Sequence, residues 1–321
     1  MENSQSNLIK ITLPDKTVIE TAKGITAGKF LNGQILSNKK AKKVILVRLD
    51  GEMRDLSTPL TDSCTLEAVF PEGDDALKVL RHTTAHVMAQ AVKELFPGAK
   101  IAIGPAIEHG FYYDFDYEKG FSLQDLEKIE DRMREIVRAA LPIDRRDEPL
   151  YAARNIYKDA GEPFKLELLD ELEAKGVTTV SLYSHGNSFF TDLCRGPHLP
   201  HTGHVAAFKL TGVAGAYWKG DEKRPMLQRI YGVAFFDQKA LKTYLDRLEE
   251  AKRRDHRRLG KELELFSIEE EIGPGLILWH PRGAMVRKVI EDFWRDEHLR
   301  RGYSILYTPQ GIPSSARQDI L

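Results

Sequence analysis

The sequence has 321 residues, 42% of them hydrophobic and 30% charged, and a formal net charge of −1. That length allows two or three domains with sizeable cores, and the composition excludes wholesale disorder. The near-zero charge excludes a globally basic nucleic-acid binder, so any basic surface must be local.

Residues 8–13 and 17–20, joined by Pro14-Asp15, read as a hairpin. Thr26 can cap a short helix through Leu31 that Asn32-Gly33 ends. Residues 44–49 and 52–56, joined by Asp50-Gly51, make a second strand–turn–strand, and 65–70 a last strand. Strands wrapped on one helix predict a small β-grasp module over residues 1–70, a shape that says little about function.

Pro71-Glu72-Gly73 breaks the chain. Asp75 can cap a helix over 76–96 that Pro97-Gly98 stops, with Leu77, Leu80, Thr84, Met88, Ala91 and Leu95 as its inward stripe. Residues 110–115 are strand-like. Ser122 with Asp125 is a capping box for a helix carrying Leu126, Ile129, Met133, Ile136 and Val137. Residues 178–183 and 188–193, across the turn His185-Gly186-Asn187, form a hairpin that delivers Cys194. Residues 206–210 and 227–235 are further strands, completing an α+β domain over 74–236. Asp237 can cap a long helix to about Leu259; its basic run, 252–258, is either a solvated face or a strut near RNA phosphates. The last segment holds a helix over 284–300 and a strand over 303–307, closed by Thr308-Pro309. The whole reads as a multidomain α+β chain.

The two cysteines, Cys64 and Cys194, make no disulfide framework and suit a reducing compartment. Residues 1–10 lack a signal-peptide pattern, and no apolar run approaches the ~18 residues of a membrane span. A cytoplasmic location without membrane contact is expected.

His82 and His86, four apart in a helix, put two imidazoles on one face. Cys194-Arg195-Gly196-Pro197-His198 follows a strand, and its Gly-Pro turn can point a thiol and a third imidazole the same way. Three imidazoles and a thiol have the number and softness of a tetrahedral zinc set. Thr83 stands where a metalloprotease helix needs glutamate, which disfavours peptide hydrolysis. Without metal, the same groups can orient and deprotonate water. Cys194 can alternatively act as nucleophile with His198 or His86 as base. Water activation ranks first, because nothing in the sequence fixes a triad. Asp192 is a turn cap or a site residue. Tyr112 and Tyr113 are core or site residues, and Lys165, just inside a helix start, reads by itself as a solvated lysine.

His82-Thr83-Thr84-Ala85-His86, Arg195-Gly196-Pro197-His198, the run 215–221 from Gly215 to Asp221, and the run 225–232 from Pro225 to Gly232 resemble, in this order, bacterial threonyl-tRNA synthetases. The resemblance extends from the first module to about Pro309. It implies a TGS domain at 1–70, an editing domain shared with alanyl-tRNA synthetases at 74–236, a linker helix at 237–262, and a partial class II catalytic core with motif 1 only at 263–321. It implies catalytic roles for His82, His86, Lys165, Cys194 and His198, and substrate contacts for Tyr113 over Tyr112 and for Asp192. Alanyl relatives hold zinc in a similar set, whereas threonyl enzymes edit without metal there. No metal is therefore assigned, and His82, His86, Cys194 and His198 stay a candidate zinc set.

The resemblance further implies tRNA(Thr) as partner, a homodimer through motif 1, and, for full-length members, ATP, magnesium and one catalytic zinc. Residues 310–321 do not resemble the family's continuation, so the sequence reads as a fragment, a frameshifted product or a stand-alone form. The expected retained activity is hydrolysis of seryl-tRNA(Thr), with ATP-dependent threonylation belonging to an absent core. A non-catalytic tRNA-binding or regulatory module and a zinc-dependent hydrolase of another substrate are the rival readings.

Overall fold

The computed structural model describes residues 8–35, 43–186, 190–269, 273 and 276–307. The chain divides into two compact units, Met1–Thr243 and Tyr244–Leu321.

The first unit opens with the hairpin read from the sequence, β1 (Leu8–Thr12) against β2 (Val18–Ala22). Alternation turns Ile9 and Ile11 inward. The Thr26 hydroxyl accepts from the Lys29 N–H and starts α1 (Ala27–Phe30). Asn32-Gly33 does not end the helix; the chain winds on as a wider π turn, Leu31–Ile35. Strands β3 (Leu46–Leu49), β4 (Glu52–Arg54) and β5 (Cys64–Val69) complete a five-stranded sheet in the order β2-β1-β5-β3-β4, with β1 and β5 parallel. Its core gathers Ile9, Ile11, Phe30, Val47, Leu60 and Leu66.

Helix α2 (Gly73–Leu95) begins two residues before the expected Asp75 cap. Asp74 and Asp75 sit instead in its first turn, where negative charge suits the helix dipole. The expected one-sided stripe is also corrected. Every residue from Thr83 to Val92 is buried, whereas Leu95 is exposed. A helix buried all round is a core element. It packs on a sheet ordered β12-β13-β8-β6 and on α3 (Leu123–Ala139). The strands are β6 (Lys100–Ile101), β8 (Gly110–Asp116), β12 (Ala207–Tyr217) and β13 (Met226–Phe235), and a short β7 (Ala106–Ile107) also pairs with β8. Strand β12 runs to Tyr217, far past the expected end at 210; its glycines hide the alternation, and a register shift falls between Leu210 and Gly212. The Ser122–Asp125 capping box at α3 is complete in both directions.

A second sheet, β11-β10-β9, carries the loop to Cys194. It comprises β9 (Ile143–Pro149), β10 (Thr179–His185) and β11 (Thr191–Leu193), and the expected hairpin is its β10–β11 pair. The turn residue Asn187, like Ser188, lies outside the described residues. Helices α4 (Leu150–Asp159) and α5 (Pro163–Ala174) cover this sheet through Leu150, Tyr157, Leu169, Val180 and Leu182.

Helix α6 (Gln238–Arg253) starts with Asp237 accepting from the Ala240 N–H, as expected. It does not reach Leu259. Asp255 accepts from the Arg257 N–H and caps a separate α7 (His256–Glu262). In the second unit, β14 (Phe266–Ser267) pairs with β15 (Leu278–Trp279), and α8 (Pro281–Arg300) follows. The expected strand over 303–307 is absent: these residues have no ladder partner among the described residues, and Thr308-Pro309 lie outside them. No helix of the described residues is long and apolar enough to cross a membrane.

Candidate catalytic site

The site forms where α2 faces the end of β11. Cys194 extends the β11 ladder by one residue, its N–H donating to Ser181 O at 3.2 Å and its carbonyl accepting from Ser181 Oγ at 2.5 Å. The loop then turns sharply at Gly196, whose φ is +69°. A Cβ there would fall 2.0 Å from the Tyr183 hydroxyl, so space and backbone both demand glycine. The turn brings His198 back over α2. Thr83 Oγ1 accepts from the Leu199 N–H at 3.1 Å and lies 3.1 Å from His198 Nδ1.

All four expected groups converge. His82 Nε2 is 2.9 Å from Cys194 Sγ, and His198 Nε2 is 3.4 Å from it. The three imidazole centroids lie 4.3 to 4.8 Å apart. His82 Nδ1 faces Gly104 O at 3.3 Å; a carbonyl only accepts, so Nδ1 carries the proton and Nε2 offers a lone pair toward the thiol. His86 Nε2 stands 3.5 Å from Asp192 Oδ2, which favours a proton there. Its Nδ1, buried and without a hydrogen-bond partner among the described residues, is then an unmatched acceptor.

Beside this cluster lies a buried charged triangle. Tyr113 OH donates to Asp192 Oδ2 at 2.6 Å and accepts from Lys165 Nζ at 3.1 Å. Lys165 and Asp192 also form an ion pair, each 2% exposed. The solvated reading of Lys165 is thus corrected. Glu162, one residue before α5, explains it: its carboxylate accepts from Lys93 Nζ at 2.5 Å and from the Ile101 N–H at 2.8 Å, pinning the helix start inward. Tyr112 takes no part here; its ring lies under the Arg229 guanidinium at 3.8 Å.

Burial sets the protonation states. It lowers the pKa of His82, and it lowers His86 and His198 well below the ordinary value, with repulsion among the imidazoles adding to it. Burial, reinforced by Asp192, pushes the Cys194 thiol up to about 12. At neutral pH the cluster therefore presents neutral imidazoles and a protonated thiol. Such a set offers imidazole lone pairs that can orient water, as weaker bases than free imidazole, and lacks the thiolate a covalent route needs.

The donor set also fits a metal. His82, His86, Cys194 and His198 each offer one ligand atom, all within 4.8 Å of one another. Neutral imidazoles and a thiolate are zinc's usual ligands, so zinc binding here would release the Cys194 proton.

Several participants escaped the sequence reading. Asp55, Tyr183 and Gln90 carried no motif, and His185, read as part of a turn, is fully buried with Nδ1 2.7 Å from Gln90 Oε1. Next to Cys194 opens a cavity of about 400 Å³, lined by Leu168, Leu172, Lys175, Ser181 and Arg195 among others.

Comparison with known proteins adds three findings. Residues 180–231 match the family described as "Threonyl and Alanyl tRNA synthetase second additional domain", a span that includes Asp192, Cys194 and His198. The chain is 53% identical over 304 residues to threonine–tRNA ligase of Citrifermentans bemidjiense, covering 95% of this chain and 47% of that protein. It is 54% identical over 302 residues to threonine–tRNA ligase of Pelobacter propionicus, covering 94% and 46%. The chain spans about half the length of the curated relatives it matches. Its homologues by sequence are thus threonine–tRNA ligases, and the match is consistent with the N-terminal portion of those longer proteins.

Proposed function

We propose that the first unit hydrolyses serine from mischarged tRNA(Thr). Threonine and serine differ by one methyl, and a missing methyl in a binding pocket is worth only ~1–3 kcal/mol, roughly 10–200-fold. A ligase for threonine therefore profits from a second site that removes serine. The seryl ester of a terminal ribose is activated, so a positioned water suffices. Water oxygen attacks the ester carbonyl, an imidazole takes the water proton, and the ribose oxygen leaves with a proton returned to it.

The geometry supports the following roles. His82 and His86 position and deprotonate the water, which would match the unpaired Nδ1 of His86. Lys165 stabilises the negative charge that develops on the carbonyl oxygen or holds a phosphate of the RNA end. Asp192 and Tyr113 receive the seryl amino group, while Cys194 and His198 shape the pocket. The convergence of the three imidazoles on Cys194 beside the Lys165–Asp192 pair carries this reading.

The test is release of serine from seryl-tRNA(Thr) by the purified chain. His82→Ala and Lys165→Ala should each slow it by about 10²-fold or more. Hydrolysis at the wild-type rate in both variants would overturn the roles. Binding of tRNA without hydrolysis would leave a binding or regulatory module.

The four-donor cluster supports a second reading, a zinc-dependent hydrolase. Zinc held by His82, His86, Cys194 and His198 would act as a Lewis acid and acidify a bound water. Stoichiometric zinc, with activity lost to a chelator and regained on adding zinc, decides for it.

The remaining segments are proposed in the same frame: a TGS domain at 1–70, an editing domain at 74–236, a linker helix at 237–262, and a partial class II core at 263–321 whose helix α8 pairs with a second copy. ATP-dependent threonylation, with ATP, magnesium and catalytic zinc, is assigned to the part of the relatives that this sequence does not match. The cytoplasm, where tRNA is charged, is the proposed location.

A further inference from the structure

The loop bearing Cys194 and His198 is held from two sides. Thr83 of α2 holds it at Leu199. The other hold comes from the small N-terminal sheet. Asp55 directly follows β4, is 143 residues from His198 in sequence, and is only 6% exposed. Its Oδ1 accepts the His198 N–H at 2.7 Å, and its Oδ2 accepts the Tyr183 O–H at 2.7 Å. The Tyr183 ring in turn lies 4.5 Å from the His198 ring, and its hydroxyl sits over Gly196. One carboxylate oxygen thus holds the loop directly and the other holds it through Tyr183 of β10, while the core of the sheet that supplies Asp55 is apolar.

From this we infer that Asp55 is a positioning residue for the hydrolytic site. By fixing the His198 backbone and the Tyr183 hydroxyl, it sets where the His198 imidazole and the Cys194 thiol stand against His82 and His86. The N-terminal sheet is thereby a working part of the site rather than an appendage. The inference rests on the hydrolytic reading for its catalytic consequence, but the positioning itself can be read without substrate.

The test uses the full chain with Asp55→Ala, Asp55→Asn and Tyr183→Phe. Asparagine is the conservative variant: its carbonyl can accept the His198 N–H, and its amide can donate to the Tyr183 hydroxyl oxygen. Two quantities are measured. One is alkylation of Cys194 by iodoacetamide, with the half-buried Cys64 as internal reference. The other is kcat and KM for seryl-tRNA(Thr). Asp55→Ala should speed Cys194 alkylation roughly tenfold, as the loop loosens and the thiol meets water. It should lower kcat roughly tenfold at little-changed KM, because the pocket wall that His198 and Cys194 form against His82 and His86 is displaced while the RNA contacts remain. Asp55→Asn should restore both to within about threefold, with Tyr183→Phe between the two.

Unchanged alkylation of Cys194 in Asp55→Ala overturns the inference, and so does unchanged kcat alongside altered alkylation. Should Asp55→Ala fail to fold, Tyr183→Phe decides by the same two measures. The expected alkylation pattern in a chain whose wild type hydrolyses nothing would remove the hydrolytic reading and leave the positioning standing.

Discussion

A thiol that burial pushes up to about 12 is a poor nucleophile at neutral pH, and that favours attack by water over attack by sulfur, the two mechanisms a pair of histidines and a cysteine could run. If water is the nucleophile, Cys194→Ser should keep hydrolysis within about tenfold of wild type, since a hydroxyl can still fill the pocket. If the sulfur attacks, the loss should exceed about 10³-fold, and a seryl-enzyme adduct should appear in the wild type by mass spectrometry. The buried imidazoles also predict a pH dependence. His86, His198 and His185 are all held below their ordinary value by burial, His185 at about 4. Between the unfolded value of about 6.5 and the folded value, the unfolded chain binds protons that the folded chain does not. The stability these groups contribute is therefore complete above about pH 6.5 and is lost as pH falls through that window. For His185 alone the contribution is on the order of 3 kcal/mol, at about 1.36 kcal/mol per pH unit. The melting temperature should fall steadily between pH 7 and about pH 4.5, and His185→Gln should flatten the curve. A melting temperature insensitive to acid over that range would contradict the assignment.

At the scale of elements, the local signals with a defined hydrogen-bond outcome were the legible ones. The Ser122–Asp125 box, the Thr26 cap and the Asp237 cap all act where the sequence indicated. Signals that needed tertiary context misled. Asn32-Gly33 did not stop its helix, Asp75 did not cap, and Asp255 split a helix that periodicity alone would carry to Leu259. In α2 an apparent stripe concealed burial on every side, because a sheet, a second helix and the site each take one face. The loop from Cys194 to His198 carries two groups of the proposed catalytic site. Gly196→Ala should lower hydrolysis roughly tenfold or more and destabilise by about 1–3 kcal/mol, since its Cβ collides with Tyr183 and its φ is left-handed. Ser122→Ala, far from the site, should cost about 1 kcal/mol in chemical denaturation and leave kcat unchanged.

At the scale of the molecule, the second unit exposes an apolar surface. On α8, Met285, Val289, Ile290, Phe293 and Trp294 are each more than half exposed. A contiguous face of this kind marks an association surface, and the proposed partner is a second copy. Light scattering should give a dimer mass at micromolar concentration. The double variant Val289→Glu, Phe293→Glu should give a monomer with hydrolysis retained, because the proposed catalytic groups all belong to the first unit. A monomeric wild type would exclude pairing through this face.

The amino-acid order alone settled what depends on near neighbours and on chemical type. The α+β character, most strand and cap positions, the four convergent His and Cys residues, and the likeness to threonyl-tRNA synthetases were all readable there, because periodicity, capping chemistry and motif spacing are local properties. The tertiary structure alone decided which polar groups are taken out of water. Lys165 looks solvated in its own segment and becomes buried because Glu162 anchors its helix and Asp192 and Tyr113 meet it from two other sheets. Asp55 carries no motif, and only the packing of the N-terminal sheet against the Cys194 loop gives its carboxylate two donors. Burial is a property of what comes to rest against a residue, and neighbours 27 to 143 positions away do not write themselves into the local pattern.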